Sequence, residues 1–100
     1  MPLDTPPVIV QVLTDHGGQL GEYAAVTNWA RRNGVTFQFV GACASACLWV
    51  LYQLPREQTC VAKSAWLGEH SALGEASDHI VWHRGSELIA AGFRDCNGQN

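Results

Sequence analysis

Positive charge is scarce in this chain. Six Lys and Arg residues stand against nine Asp and Glu, for a formal charge of −3 and a pI near 5.7. The basic residues do not cluster, which argues against a nucleic-acid partner held by phosphate neutralisation. No apolar run approaches the roughly 18 residues of a membrane span, so no membrane association is expected. Residues 1–7 have no basic segment leading into an apolar one. No signal peptide is visible there, and the default expectation is a cytoplasmic chain. Internal repeats and low-complexity stretches are also lacking. What is present is a globular composition, 47% apolar and 15% charged over 100 residues. That suits one domain burying roughly 60–70% of its unfolded surface.

The four cysteines, Cys43, Cys47, Cys60 and Cys96, leave alternatives open. An even number in a short chain suits disulfides if the compartment is oxidising, and three pairings are then possible. Without an export signal, reduced buried thiols are the default expectation. Zinc held by Cys43, Cys47, Cys60 or Cys96 and His70 is a weaker alternative, because Cys-x3-Cys with no second close pair matches no common zinc module. No metal or cofactor is expected.

Residues 1–7 carry three prolines and read as an extended arm. Val8–Leu13 is almost continuously apolar, the pattern of a strand buried on both faces. Thr14–Gly18 is a turn. From Leu20 to Asn33 the period becomes helical, with Leu20, Tyr23, Ala24, Thr27 and Ala30 on one stripe. Arg31 and Arg32 suit the last turn, and Gly34 suits the C′ position. Thr36–Val40 is the next strand. Strand, helix and strand within about 33 residues make a βαβ unit with parallel strands. Ala46–Leu54 is apolar nearly all round and predicts a short buried helix stopped by Pro55. Gln58–Ala62 and Ala65–Leu67 are short strands, Glu69–Asp78 a loop, and Ile80–Trp82 a final strand. Ser86–Ala91 is a helix with Ser86 as N-cap and Gly92 as C-cap. The tail Asn97–Asn100 is expected to fray. The organisation is therefore an arm over 1–7, one α/β domain over 8–96 and a short tail.

Three features carry chemistry. Gly17-Gly18, between a strand and a helix, can turn backbone N–H groups toward an anion or an oxyanion, or can be an ordinary tight turn. Ser45 sits between a strand and a helix among small residues, where a nucleophile needs a sharp bend and where an N-cap serine is also common. His70, in Leu67-Gly68-Glu69-His70, suits a general base. His16, His79 and His83 compete with it on composition alone.

Together these segments resemble the serine-peptidase branch of the Clp-protease/crotonase superfamily. They are most similar to small bacterial proteins related to the Clp proteolytic subunit, many of them exported, that carry a Cys-x-Ser-Ala-Cys box. The matching residues are Gly17-Gly18 with Glu22-Tyr23, then Gly41-Ala42-Cys43-Ala44-Ser45-Ala46-Cys47, then Ala65-Trp66-Leu67-Gly68-Glu69-His70. The resemblance spans residues 8–72. Its specific part is the box followed, 25 residues after its serine, by Leu-Gly-x-His. It implies a fold of repeated ββα units around a small, mainly parallel sheet. It implies Ser45 as nucleophile, His70 as general base, and Gly17, Gly18 and Ala46 as oxyanion-hole donors. Asp78, before the closing segment Ile80–Trp82, is the residue it offers to orient His70.

The sequence also departs from that pattern. The resemblance leads one to expect a further strand and helix before the segment that starts at Val8, and Asp78 follows Ser71 by only seven positions, where relatives carry a helical region. The expected fold is thus a truncated version. Asp15-His16 and Glu69 are not the usual residues, and a Glu69 carboxylate approaching the His70 ring would favour imidazolium and impair a base. Two functions follow. One is a serine hydrolase, of peptidase type, acting on a peptide or protein. The other is an inactive scaffold, for example a phage or mobile-element inhibitor or adaptor, binding a protein through Trp66, Trp82 or Tyr52. Trp29 and Trp49 are expected in the core. A crotonase-type acyl-CoA activity is weaker, since no CoA-binding signal is visible. A homo-oligomer would help cover so small a core.

Overall fold

Alternation along Thr36–Ala44 organises the molecule. In this computed structural model, which describes residues 8–70 and 80–98, Phe37, Phe39 and Cys43 turn to one side of that strand and are buried. The strand, β2, is central. β1 (Ile9–Asp15) pairs with it in parallel along one side. Along the other side two strands follow one another. β3 (Thr59–Val61) pairs in parallel with Phe37–Phe39, and β4 (Trp66–His70) pairs in parallel with Ala42–Ala44. β5 (Ile80–Arg84) closes the sheet antiparallel to β4. With α1 (Leu20–Asn33), α2 (Cys47–Gln53) and α3 (Gly85–Ala90), the chain is a small α/β domain whose mixed sheet has five strands. The expected parallel β1–α1–β2 unit is present.

α1 ends as its sequence requires. Gly34 takes the left-handed conformation at φ +65° and its N–H reaches the Ala30 carbonyl. A side chain there would be strained, so glycine stops the helix at little cost. Thr27 and Ala30 are the buried part of the stripe, while Leu20, Val26 and Trp29 remain exposed. α2 packs between α1 and the sheet. Its Cys47, Leu48, Val50 and Leu51 join Phe37, Phe39, Val61 and Leu67 in one core. Each large side chain buried there contributes roughly 1.5–3 kcal/mol.

Several expectations change. Val8–Leu13 is not buried on both faces. β1 lies at a sheet edge, and Ile9 and Leu13 are 54% and 64% exposed while Val10 and Val12 pack on the core. α2 is not buried all round, because Trp49 and Tyr52 face outward, and Trp29 is exposed as well. Glu69 and His70 extend β4 instead of opening a loop, since Val81 and Ile80 pair across from them. Ser86 lies inside α3. The helix runs Gly85–Ala90, with Arg84 at the N-cap position and Ala91, not Gly92, at the C-cap position. Asn97 and Gly98 fold back, their N–H groups donating to Asp95. The extended arm 1–7 lies outside the described residues.

The thiols are not reduced. Cys43 pairs with Cys47 and Cys60 with Cys96, with Cα separations of 5.5 and 4.8 Å. A disulfide sulfur is not a thiolate ligand, so the cysteine-zinc alternative falls with the free thiols.

Candidate active site

The end of β2 bends sharply. Ser45 follows Ala44 with φ +60°, and among the described residues it is the one non-glycine residue at positive φ. A side chain in this conformation costs roughly 1–2 kcal/mol. Such strain survives only where neighbours fix it. Here the Ser45 N–H donates to the Gly68 carbonyl at 2.8 Å, and the Ser45 carbonyl accepts from Leu48 N–H at 3.0 Å. The Cys43–Cys47 bond closes over the bend with Ser45 at its middle. A strand-to-helix turn with a left-handed serine lifts Oγ out of the backbone.

β4 supplies the second group. Its register sets Ala44 against Gly68, so the two chains leave the sheet side by side and His70 arrives beside Ser45. Ser45 Oγ and His70 Nε2 are 2.9 Å apart. For Oγ to donate, the ring proton must sit on Nδ1. Among the described residues Ser45 is the polar partner of this ring. Asp78, expected to hold Nδ1, lies outside the described residues, as does His79.

The glycine turn packs against the serine bend. Gly17 has φ +94°, and a Cβ built on it would stand 2.8 Å from the Ala44 carbonyl oxygen and from Ser45 Cβ. Only glycine fits so close to that backbone. Gly17, however, is not an available oxyanion donor. Its N–H donates to Asp15 Oδ1 at 2.9 Å. The N–H groups of Gly18 and Ala46 have no acceptor among the described residues. Gly18, Ser45, Ala46 and His70 share the wall of one cleft of about 510 Å³. Leu20, Leu48, Trp49 and Tyr52 make its apolar side, with Gln53 and Glu69 at the rim. Burial, helped by the Glu69 charge, raises the Tyr52 pKa and keeps the phenol neutral.

Glu69 is engaged by His83. Its carboxylate lies 3.0 Å from His83 Nε2, and Glu87 lies 2.9 Å from His83 Nδ1. The Glu87 hydrogen bond raises the His83 pKa, partial burial opposes it, and the Glu69 charge adds to the rise. His83 is thus a tie between β4, β5 and α3, not a competing base. His16 lines a second cleft of about 410 Å³ with Ala42, Trp66 and Trp82.

Sequence reasoning did not read the role of Asp15 and Tyr23 at the turn and left the cysteine pairing open among three. An Asp two residues before Gly17 is the spacing at which an aspartate side chain caps its own turn, and that signal was legible. No protein-family model, curated protein or solved structure matches this chain.

Proposed function

We propose that this chain is a serine hydrolase, of peptidase type, with Ser45 as nucleophile and His70 as general base. The supporting observation is the 2.9 Å Ser45–His70 contact on a left-handed serine that opens into a cleft. Ser45 Oγ attacks an acyl carbon as its proton passes to His70 Nε2. The tetrahedral oxygen draws N–H donation from Gly18 and Ala46. Collapse breaks the bond to the leaving group, which takes the proton back from His70, and water then releases the acyl group by the same route. A positioned base contributes about 10²–10⁴-fold. One oxyanion donor contributes about 10²–10³-fold. The resemblance to the Clp-protease/crotonase superfamily points the same way and favours a fold of ββα units with a peptide substrate.

Two disulfides favour an oxidising compartment over the cytosol, because cytosolic thiols are kept reduced. Thiol counting by maleimide mass-tagging of the chain in its native location then finds no free cysteine. The hydrolase reading is tested with fluorogenic peptides and p-nitrophenyl esters. Turnover by the native chain, lost in a folded Ser45→Ala variant, supports it, and equal turnover by both overturns it.

A second reading, a binding scaffold without turnover, is favoured by the Trp66–Trp82 cleft. Those rings are 42% and 40% exposed, and Arg84 lies over Trp66 at 4.4 Å. Exposed aromatic residues of this kind anchor protein interfaces, including those of homo-oligomers. Association with a protein or with a second copy that survives Ser45→Ala and is lost in Trp82→Ala separates this reading from the first.

A further inference from the structure

We propose that Asp15, held by Tyr23, is a positioning residue that sets the Gly18 N–H beside Ser45. The catalytic half of this inference rests on the hydrolase reading; the structural half stands without it. Asp15 is the last residue of β1 and lies opposite Cys43 in the β1–β2 ladder. The ladder shifts register opposite Val12–Thr14, where β2 carries one extra residue between Phe39 and Ala42, so Asp15 meets Cys43 and β2 reaches the serine bend out of step with its start. A bulge of this kind re-aims the side chains that follow it.

Two donors converge on one oxygen of Asp15. The Gly17 N–H reaches Oδ1 at 2.9 Å and the Tyr23 hydroxyl donates to the same atom at 2.7 Å. That short bond, then burial and the charges of Asp15 and Glu22, push the Tyr23 pKa up to about 12, so the phenol keeps its proton. The same tyrosine backs the next residue. A Cβ built on Gly18 would lie 3.6 Å from Tyr23 Cε2. The turn is therefore gripped from two sides. Asp15 and Tyr23 hold one, and the Ala44–Ala46 backbone presses on Gly17 from the other.

The consequence is directional. With the Gly17 N–H spent on Asp15, Gly18 is the turn glycine that lines the cleft and whose N–H has no acceptor among the described residues. Its aim depends on how firmly Gly17 is fixed. Oxyanion donors act by standing in place before charge develops, so loosening the turn lowers kcat and leaves ground-state binding nearly unchanged.

The test uses the full chain with Asp15→Ala, Asp15→Asn and Tyr23→Phe. Amide hydrogen exchange, read by NMR, reports the turn without any substrate. The Gly17 amide is expected to exchange at least about tenfold faster in Asp15→Ala, with Phe39 and Leu67 amides unchanged. Asn keeps an acceptor, and Asp15→Asn is expected to restore most of the protection. Hydrolysis of p-nitrophenyl acetate supplies the second readout. In Asp15→Ala kcat is expected to fall about ten- to a hundredfold with KM within about twofold, and in Tyr23→Phe less steeply. Unchanged Gly17 exchange, or exchange that rises only together with the core amides, overturns the positioning. Faster Gly17 exchange with undiminished kcat overturns its catalytic role. A native chain inert to the ester and to a fluorophosphonate overturns the hydrolase reading and the catalytic half with it, while the exchange result still decides the structural half.

Discussion

The two disulfides of this small domain close loops of very different length. Cys60–Cys96 spans 36 residues and ties the C-terminal segment to β3, where Val61 N–H donates to the Arg94 carbonyl and Cys96 N–H to the Val61 carbonyl. Cys43–Cys47 spans four and encloses only the serine bend. In the chain-entropy model a 36-residue loop stabilises by about 4 kcal/mol and a four-residue loop by about 2. The long bridge therefore mainly holds the fold. The short one adds less to stability and sits where a strained serine needs its neighbours fixed. Stability and geometry at Ser45 are assigned to separate covalent ties.

That division can be broken in order of expected effect. Removing the long bridge with Cys60→Ala and Cys96→Ala is expected to lower the unfolding free energy by about 4 kcal/mol in urea titrations. The variant that remains folded should still react at Ser45 with a fluorophosphonate at nearly the native rate. Cys43→Ala with Cys47→Ala is expected to lose only about 2 kcal/mol. Its labelling rate should nevertheless drop at least about tenfold as the bend loosens. If the long-bridge variant loses labelling and the short-bridge variant keeps it, the assignment is reversed.

Strain at the bend gives a smaller and more pointed result. Ser45→Gly removes the side chain from a left-handed position and is expected to raise stability by about 0.5–1 kcal/mol while abolishing labelling. A destabilised Ser45→Gly would show that the serine is held there for packing instead. The smallest effect concerns the non-covalent tie at His83, whose side chain is 35% exposed. Its pKa is raised in the folded chain, so its contribution is complete below the unfolded value of about 6.5 and fades as pH climbs through the folded value. His83→Gln should cost less than about 1 kcal/mol at pH 5.5. At pH 9 the difference should vanish, and a stability gap that persists there would assign His83 a packing role.

Local signals and long-range ones were not equally legible. The helical stripe with Arg31, Arg32 and Gly34 at its end placed α1 over Leu20–Asn33, because period and stop signals are local. The apolar run Val8–Leu13 does form a strand, over Ile9–Asp15, but not one buried on both faces. Its apolar run does not tell a core strand from an edge strand that leaves Ile9 and Leu13 exposed. Glu69 and His70 have weak strand propensity, and they extend β4 only because Val81 and Ile80 pair with them. Cysteine pairing was beyond reach, since spacing alone does not choose among three connectivities. At the site, Ser45 and His70 were singled out and the fold brings them within hydrogen-bond distance. The engagement of Gly17 by Asp15 has a local cue in the spacing of the two residues, whereas the Tyr23 hydroxyl reaching the same oxygen depends on how α1 packs beside the turn, on which composition is silent.

The most direct test is intact-mass labelling of the full chain with a fluorophosphonate, alongside Ser45→Ala and His70→Ala. One adduct on the native chain, absent from both variants with their folds intact by circular dichroism, is the expected result. A folded native chain that takes no adduct, or one that is labelled equally after Ser45→Ala, would contradict a serine nucleophile activated by His70.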